Sequence, residues 1–320
     1  MRSWLVLGVA GAALAALTLG CVPPDPPPRK VLITRVSVGS DGTEGDWESA
    51  SPSLSADGRY VAFSSHATNF VPDDSNRRSD VFVHDRDTGT TTRVSVASDG
   101  TEGDDDSRTP AISADGRYVA FTSSAANLVP DDTNGATDVF VHDRDTGTTT
   151  RVSVASDGTE GEATSQHPAI SADGRYVAFT SWAANLVDDD TNELADVFVH
   201  DRDTGTTTRV SVASDGTEGD STSLYTAINA DGRYVAFSSL ASNLVPGDTN
   251  DSFDVFIHDQ VTGVTERVSL AHDGAQGSGH SSFAAISADG RHVAFTSHAA
   301  NLVPEDTSPL RDVFVVDRGE

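Results

Sequence analysis

Between Arg117 and Ser123, apolar Val119 and Phe121 alternate with Tyr118 and Ala120, the two-residue period of a pleated strand. Three more short strand candidates surround this one. Ala111–Ser113 precedes it and is closed by Asp115-Gly116, a tight-turn pair. A longer loop, Ala125–Thr137, leads to Asp138–His142, which ends at the turn Asp143–Gly147. Thr149–Val154 follows, with β-branched residues at most positions, a composition suited to a half-buried sheet surface. Beyond residue 30 no segment sustains a 3.6-residue period, so the pattern predicts an all-β chain.

The pattern recurs every 58 residues. Ser55–Phe63 reads SADGRYVAF and returns unchanged at Ser113–Phe121 and Ser171–Phe179, then with one substitution each at Asn229–Phe237 and Ser287–Phe295. Residues 31–320 accommodate five such units. Four antiparallel strands per repeat make the blade of a β-propeller, in which sheets arranged radially leave only short, protected edges. The last unit stops after its third strand at Asp317-Arg318-Gly319-Glu320. Arg35–Val38 matches Arg93–Val96 one period later, so the first strand is expected to complete the last blade. The predicted fold is therefore a five-bladed propeller of four-stranded repeats, its ring closed by the N-terminal strand.

The repeated core S-x-D-G-R-x-V-A-F-T-S, as in Ser113–Ser123, resembles the WD40-like (PD40) repeat of the TolB-type propellers, in which an Asp-Gly turn joins the inner two strands. The resemblance spans residues 31–320 and implies a propeller; fold alone does not assign function. The unit is longer than usual for that family, mainly because of the Asn127–Asn134 loop.

Residues 1–20 differ from the rest. Arg2 precedes a run of 16 largely apolar residues, Trp4–Leu19, short for a bilayer core that needs about 20 helical residues and proportioned as a secretory signal. Leu19-Gly20-Cys21 resembles the lipobox of bacterial lipoproteins, which implies cleavage before Cys21 and lipidation of its thiol. Val22 after the cysteine, where an aspartate retains enteric lipoproteins at the inner membrane, implies the outer membrane. Val22–Lys30 holds five prolines in nine residues, a semi-rigid polyproline II tether. The expected organisation is a signal peptide over 1–20, a lipidated cysteine and tether over 21–30, and the propeller over 31–320.

Net charge is −28, from 49 acidic and 21 basic residues. That excess repels phosphate backbones and anionic headgroups, so nucleic acid is excluded as an expected partner and the membrane is reached only through the anchor. Cys21 is the single cysteine, so no intramolecular disulfide contributes to stability. A monomer is expected.

Five near-copies act as internal controls. The rim carrying the Asp-Gly and Asp-Arg-Asp-Thr-Gly turns is nearly constant. The other rim varies: His66, Ser124, Trp182, Leu240 and His298 follow the second strands, while Ser51, Thr109, His167, Tyr225 and Phe283 enter the first strands, preceded by Ala50, Arg108, Gln166, Leu224 and Ser282. Long loops drift more freely than tight turns. The alternative reading is a binding face individualised blade by blade, formed by His66, Arg108, His167, Trp182, Tyr225, Phe283 and His298, with Trp182, Tyr225 and Phe283 as aromatic anchors.

No Ser-His-Asp set and no G-x-S-x-G motif is present. His84, His142, His200 and His258 share one strand position, taken by Val316 in the fifth unit, and read as packed structural histidines. Carboxylates are abundant, so a hydrolase with an acidic pair across the channel is one alternative, requiring a separation of about 5 to 10 Å. The long loops supply a second. Asp74, Asn76 and Asp80 recur as Asp132, Asn134 and Asp138, as Asp190, Asn192 and Asp196, and as Asp248, Asn250 and Asp254, with Asp306, Ser308 and Asp312 in the fifth unit. Clustered oxygens at this spacing suit calcium; Asx-turns that cap the loop explain the same residues. The expectation is an envelope lipoprotein presenting a propeller as a binding or scaffold module for an envelope or extracellular protein or glycan. The rivals are a carbohydrate-active hydrolase and a calcium-stabilised structural surface protein.

Overall fold

In the computed structural model, residues 32–304, 306 and 310–319 are described. The chain divides into Met1–Arg35 and Val36–Glu320. The signal and tether expected over 1–30 lie outside the described residues. Leu32–Arg35 carry no strand and are exposed.

Val36–Glu320 is all-β. Its first sheet is β1 (Ser49–Leu54), β2 (Tyr60–Ser65), β3 (Asp80–Asp85) and β4 (Thr90–Arg93). The second is β5 (Ser107–Ile112), β6 (Tyr118–Ser123), β7 (Asp138–Asp143) and β8 (Thr148–Arg151). The third is β9 (Ser165–Ile170), β10 (Tyr176–Ser181), β11 (Asp196–Asp201) and β12 (Thr206–Arg209). The fourth is β13 (Ser223–Ile228), β14 (Tyr234–Ser239), β15 (Asp254–Asp259) and β16 (Val264–Arg267). The fifth contains β17 (Ser281–Ile286), β18 (His292–Ser297) and β19 (Asp312–Asp317). Every pairing is antiparallel between sequence neighbours, the meander of a propeller blade.

The third strand of each of the first two blades, DVFVHD, is buried at every position. Both faces need covering, and the neighbouring sheets supply the cover. Ala62, Val81 and Val83 of the first blade pack with Val119, Phe121 and Phe140 of the second. Equivalent residues form the next three inter-blade cores. Cross-strand phenylalanine pairs, such as Phe179 and Phe198 at 5.9 Å, recur in each blade. Between the Asp-Gly turns of successive blades one backbone hydrogen bond repeats, from Ala56 N to Ala114 O, Ala114 N to Ala172 O and Ala172 N to Ala230 O, at 2.9–3.0 Å.

The constant rim is locked. The Tyr118 ring lies so close to the Asp-Gly turn of the next blade that a Cβ on Gly174 would stand 2.2 Å from it. The Arg202 guanidinium covers the ring at 4.3 Å and donates to Gly174 O at 2.6 Å. Arg117 closes the same corner with a bidentate pair to Asp143, at 2.9 and 2.7 Å. Turns that hold these contacts have little freedom to change.

Two strand bounds are corrected. The first strand of the second blade runs over Ser107–Ile112 rather than Ala111–Ser113. The fourth strand ends at Arg151 rather than Val154, because Ser153 turns its hydroxyl onto buried Asp138 and Val154 bridges to Glu160 in the connector to the next blade. By the same register Arg35–Val38 falls at a strand end, with Val38 bridged to Glu44. The fifth sheet accordingly has three strands among the described residues, and these sheets do not show the ring closure expected from the N-terminal strand. Val313 and Val315 on β19 are 73% and 66% exposed, where Val81 and Val83 are fully buried.

Phe179→Ala is expected to lower stability by about 3–5 kcal/mol, since it empties a fully buried site. Phe283→Ala, at a half-exposed position, should stay within roughly 0.5 kcal/mol of the parent. Urea denaturation followed by far-UV circular dichroism distinguishes the two.

Candidate ligand-binding channel mouth

Each innermost strand pairs with its neighbour through an interrupted register. In β5 the break lies between Arg108 and Ala111, where two residues face one on β6, and the same one-residue slip occurs in β1, β9, β13 and β17. Such a bulge bends the strand and re-aims a side chain. The first slipped residue is Ser51, Thr109, His167, Tyr225 or Phe283, with φ between 48° and 58°. That left-handed region is unfavourable for any residue with a Cβ, most of all for β-branched Thr109, at roughly 1 kcal/mol or more each.

The five bulges surround a cavity of about 340 Å³. Its lining is divided. His167, Tyr225 and Phe283 form a continuous aromatic wall on three consecutive blades, with ring centroids 5.0 and 4.3 Å apart. Ser51 and Thr109 line it from the first two blades, beside Pro52 and Pro110, and the Thr109 hydroxyl also bonds to that of Thr122 at 2.9 Å. Burial holds His167 below its ordinary pKa, so it is neutral at neutral pH, and its Nδ1 has no partner. Thr226 Oγ1 donates to His167 O at 2.7 Å, and Ser53 Oγ accepts from Ile112 N at 3.2 Å. Neighbouring blades thus cap parts of the inner backbone edge.

The other rim candidates fall in separate groups. His66 Nε2 lies 3.3 Å from Arg108 Nη2, and Arg108 also pairs with Asp106 at 3.1 Å. His298 Nε2 accepts from Arg311 Nε at 3.2 Å, and that guanidinium lies 5.9 Å from the Phe283 ring centroid. His66 and His298 are therefore each engaged by an arginine. Trp182 stands on the third blade's rim, 37% exposed. Trp47, 67% exposed, and Arg311 were not singled out by the sequence reading. Trp47 was detectable as a tryptophan in a variable loop, whereas Arg311 has no counterpart in the other units.

The strands β1, β5, β9, β13 and β17 contain no Asp or Glu. The acidic pair that a hydrolase would need is thus missing from the innermost strands. His84, His142, His200 and His258 are buried and bond through Nδ1 to a threonine hydroxyl on the fourth strand, at 2.8–2.9 Å. Burial lowers the pKa of each, so they are neutral packing residues, as expected.

The long-loop carboxylates do come together. Asp132, Asp138 and Glu160 present oxygens within 4.8 Å of one another, as do Asp74, Asp80 and Glu102, and Asp190, Asp196 and Glu218. The positive charge at each cluster is a guanidinium. Arg151 Nη1 lies 3.7 Å from both Asp132 and Asp138 and is paired with Glu160. Asn134 directs its Nδ2 to Asp138 and to Gly161 O, both at 2.8 Å, while its Oδ1 accepts from Ala136 N. Asn76 and Asn192 are held in the same way. In the fourth blade Arg267 joins Asp248 and Asp254 at 3.1 and 3.2 Å, and Asn250 donates to Asp254. The asparagine oxygens that the calcium reading counts among its ligands accept from the loop backbone here. Ser308 of the fifth set lies outside the described residues.

No family model matches the chain, and neither does any curated protein. Solved structures do. A putative TolB from Agrobacterium tumefaciens superposes with a TM-score of 0.52 at 17% identity, over 86% of this chain and 79% of that one. The fold is that of the TolB-type propellers. The β-propeller domain of the Trilobed protease from Pyrococcus furiosus, described as having an open velcro topology, gives 0.52 at 13% identity over 86% and 70%. TolB from Acinetobacter baumannii gives 0.48 at 16% identity, and this chain, 87% covered, spans 56% of it. At such identities the likeness concerns the TolB-type fold alone, so the chemistry of the mouth rests on its own residues.

Burial, ahead of the neighbouring Asp138 charge, pushes Asp132 up to about 6 from the usual carboxylate range. A raised folded-state pKa stabilises below the unfolded value, and that contribution is lost as pH rises through the folded one. Asp132→Asn removes the titration. Its stability relative to the parent is expected to rise by on the order of 1–2 kcal/mol between pH 4 and pH 7, read from urea midpoints across that range. A pH-independent difference would show that folding leaves the Asp132 pKa unchanged.

Proposed function

We propose that this TolB-type propeller is a binding module of the bacterial envelope, lipid-anchored through Cys21 and engaging its ligand at the variable rim and channel mouth. One observation carries the reading. Five near-identical blades differ across one rim, including every bulge residue that lines the cavity, while the opposite rim is fixed by tyrosine, glycine and arginine contacts. Backbone strain retained at five equivalent positions, with aromatics on three of them, is the signature of a surface built to receive something. The absence of Asp and Glu from the innermost strands favours binding over hydrolysis there. The arginine at the heart of each acidic loop favours internal ion pairing over a calcium-stabilised structural role.

Affinity capture tests the rim. The tagged protein is exposed to envelope proteins and glycans from its own source, beside a variant carrying Trp182→Ser, Tyr225→Ser and Phe283→Ser. Retention by the parent with loss by the variant is expected; equal retention by both would sink the proposal. The anchor has its own test: Cys21→Ala should abolish metabolic labelling by a palmitate analogue and release the protein from the membrane fraction. Labelling that survives the substitution would remove lipidation at Cys21.

A further inference from the structure

We propose that the channel mouth takes a terminal pyranose ring of a neutral saccharide. This rests on the binding-module reading and names the ligand class for the same site. The lining has two chemistries on two sides. Tyr225 and Phe283, 4.3 Å apart, offer a flat apolar surface, and Ser51 and Thr109 on the facing blades offer hydroxyl groups. A pyranose has the matching anatomy, an apolar face of C–H bonds and an equatorial edge of hydroxyls. Small-ligand sites characteristically combine aromatic walls with a few placed polar groups.

Three further observations narrow the class. An extended peptide would be recognised mainly by strand addition to a free backbone edge, but Thr226 and Ser53 already occupy inner-edge backbone groups. An anionic sugar would meet Asp104-Asp105-Asp106 and Asp188-Asp189-Asp190 in the rim loops of a chain with net charge −28. Of the nearby cations, Arg108 is paired with Asp106, and Arg311, held by His298, is a single charge against the six carboxylates of those loops. With no Asp or Glu on the innermost strands, the bound sugar has no acid or base from the channel wall and is held rather than cleaved.

Isothermal titration of the full chain with cellotriose, maltotriose, tri-N-acetylchitotriose and trigalacturonate tests the assignment. At least one neutral trisaccharide is expected to bind, with trigalacturonate at least tenfold weaker. Tyr225→Ser/Phe283→Ser should weaken the neutral ligand by tenfold or more, while Val261→Ser, exposed on the turn between β15 and β16 of the opposite rim, stays within about twofold. Urea midpoints of the variants confirm that each is folded. No binding by any neutral sugar, tighter binding of trigalacturonate, or undiminished binding by the double variant would each overturn the proposal. Envelope capture that persists in a protein indifferent to all four sugars would overturn the ligand class and leave the binding-module reading standing.

Discussion

The contact between a tyrosine ring and the glycine of the next blade's turn sets the terms for the whole molecule. Tyr60 on Gly116, Tyr118 on Gly174, Tyr176 on Gly232 and Tyr234 on Gly290 approach so closely that any side chain at the glycine would collide with the ring. The positive φ of those glycines excludes other residues a second time. Because the ring reaches across the gap, this contact fixes both the spacing of adjacent sheets and their rotation about the axis. The valine and phenylalanine cores then fill a gap whose width is already determined. Sequence freedom is left on the far rim, which none of these contacts reaches, and that is where the five units diverge.

The parts of this arrangement that follow from local chemistry were legible in the sequence. A 58-residue period, Asp-Gly turns and two-residue alternation predicted five blades, and the hairpin order of each sheet agrees. The bulges were not legible. Glycine or asparagine ordinarily announces a left-handed backbone, and here serine, threonine, histidine, tyrosine and phenylalanine adopt it under tertiary constraint. The variable positions were found by comparing copies, yet nothing in the chain said that Tyr225 and Phe283 would stack while Trp182 stood apart. Strand ends were misjudged where a hydroxyl competes for the backbone's neighbourhood, as Ser153 does with Asp138. The Asp-x-Asn loops were visible in the sequence, but Glu160 and Arg151, the glutamate and the arginine that join Asp132 and Asp138, are too remote to be seen in a local motif.

Charge is managed within the repeat. Each acidic loop gathers three carboxylates around one guanidinium in the first three blades, leaving local excess negative charge that burial expresses as raised carboxyl pKa values at Asp74, Asp132 and Asp196. In the fourth blade Gln276 stands where the others have glutamate and accepts from Arg267 at 3.0 Å. On the locked rim Arg117 pairs with Asp143 and also lies 3.4 Å from Asp145.

The four inter-blade cores use the same residues in the same geometry, so complementarity cannot tell one neighbour from another. A third blade would fit against the first as well as the second does. During folding, the correct partner is therefore chosen by tether length: the short connector brings the adjacent sheet to the docking face at the highest local concentration. Sequence order stands in for molecular recognition, and a chain of such alike parts is open to exchange of whole blades between neighbouring molecules whenever folding is crowded.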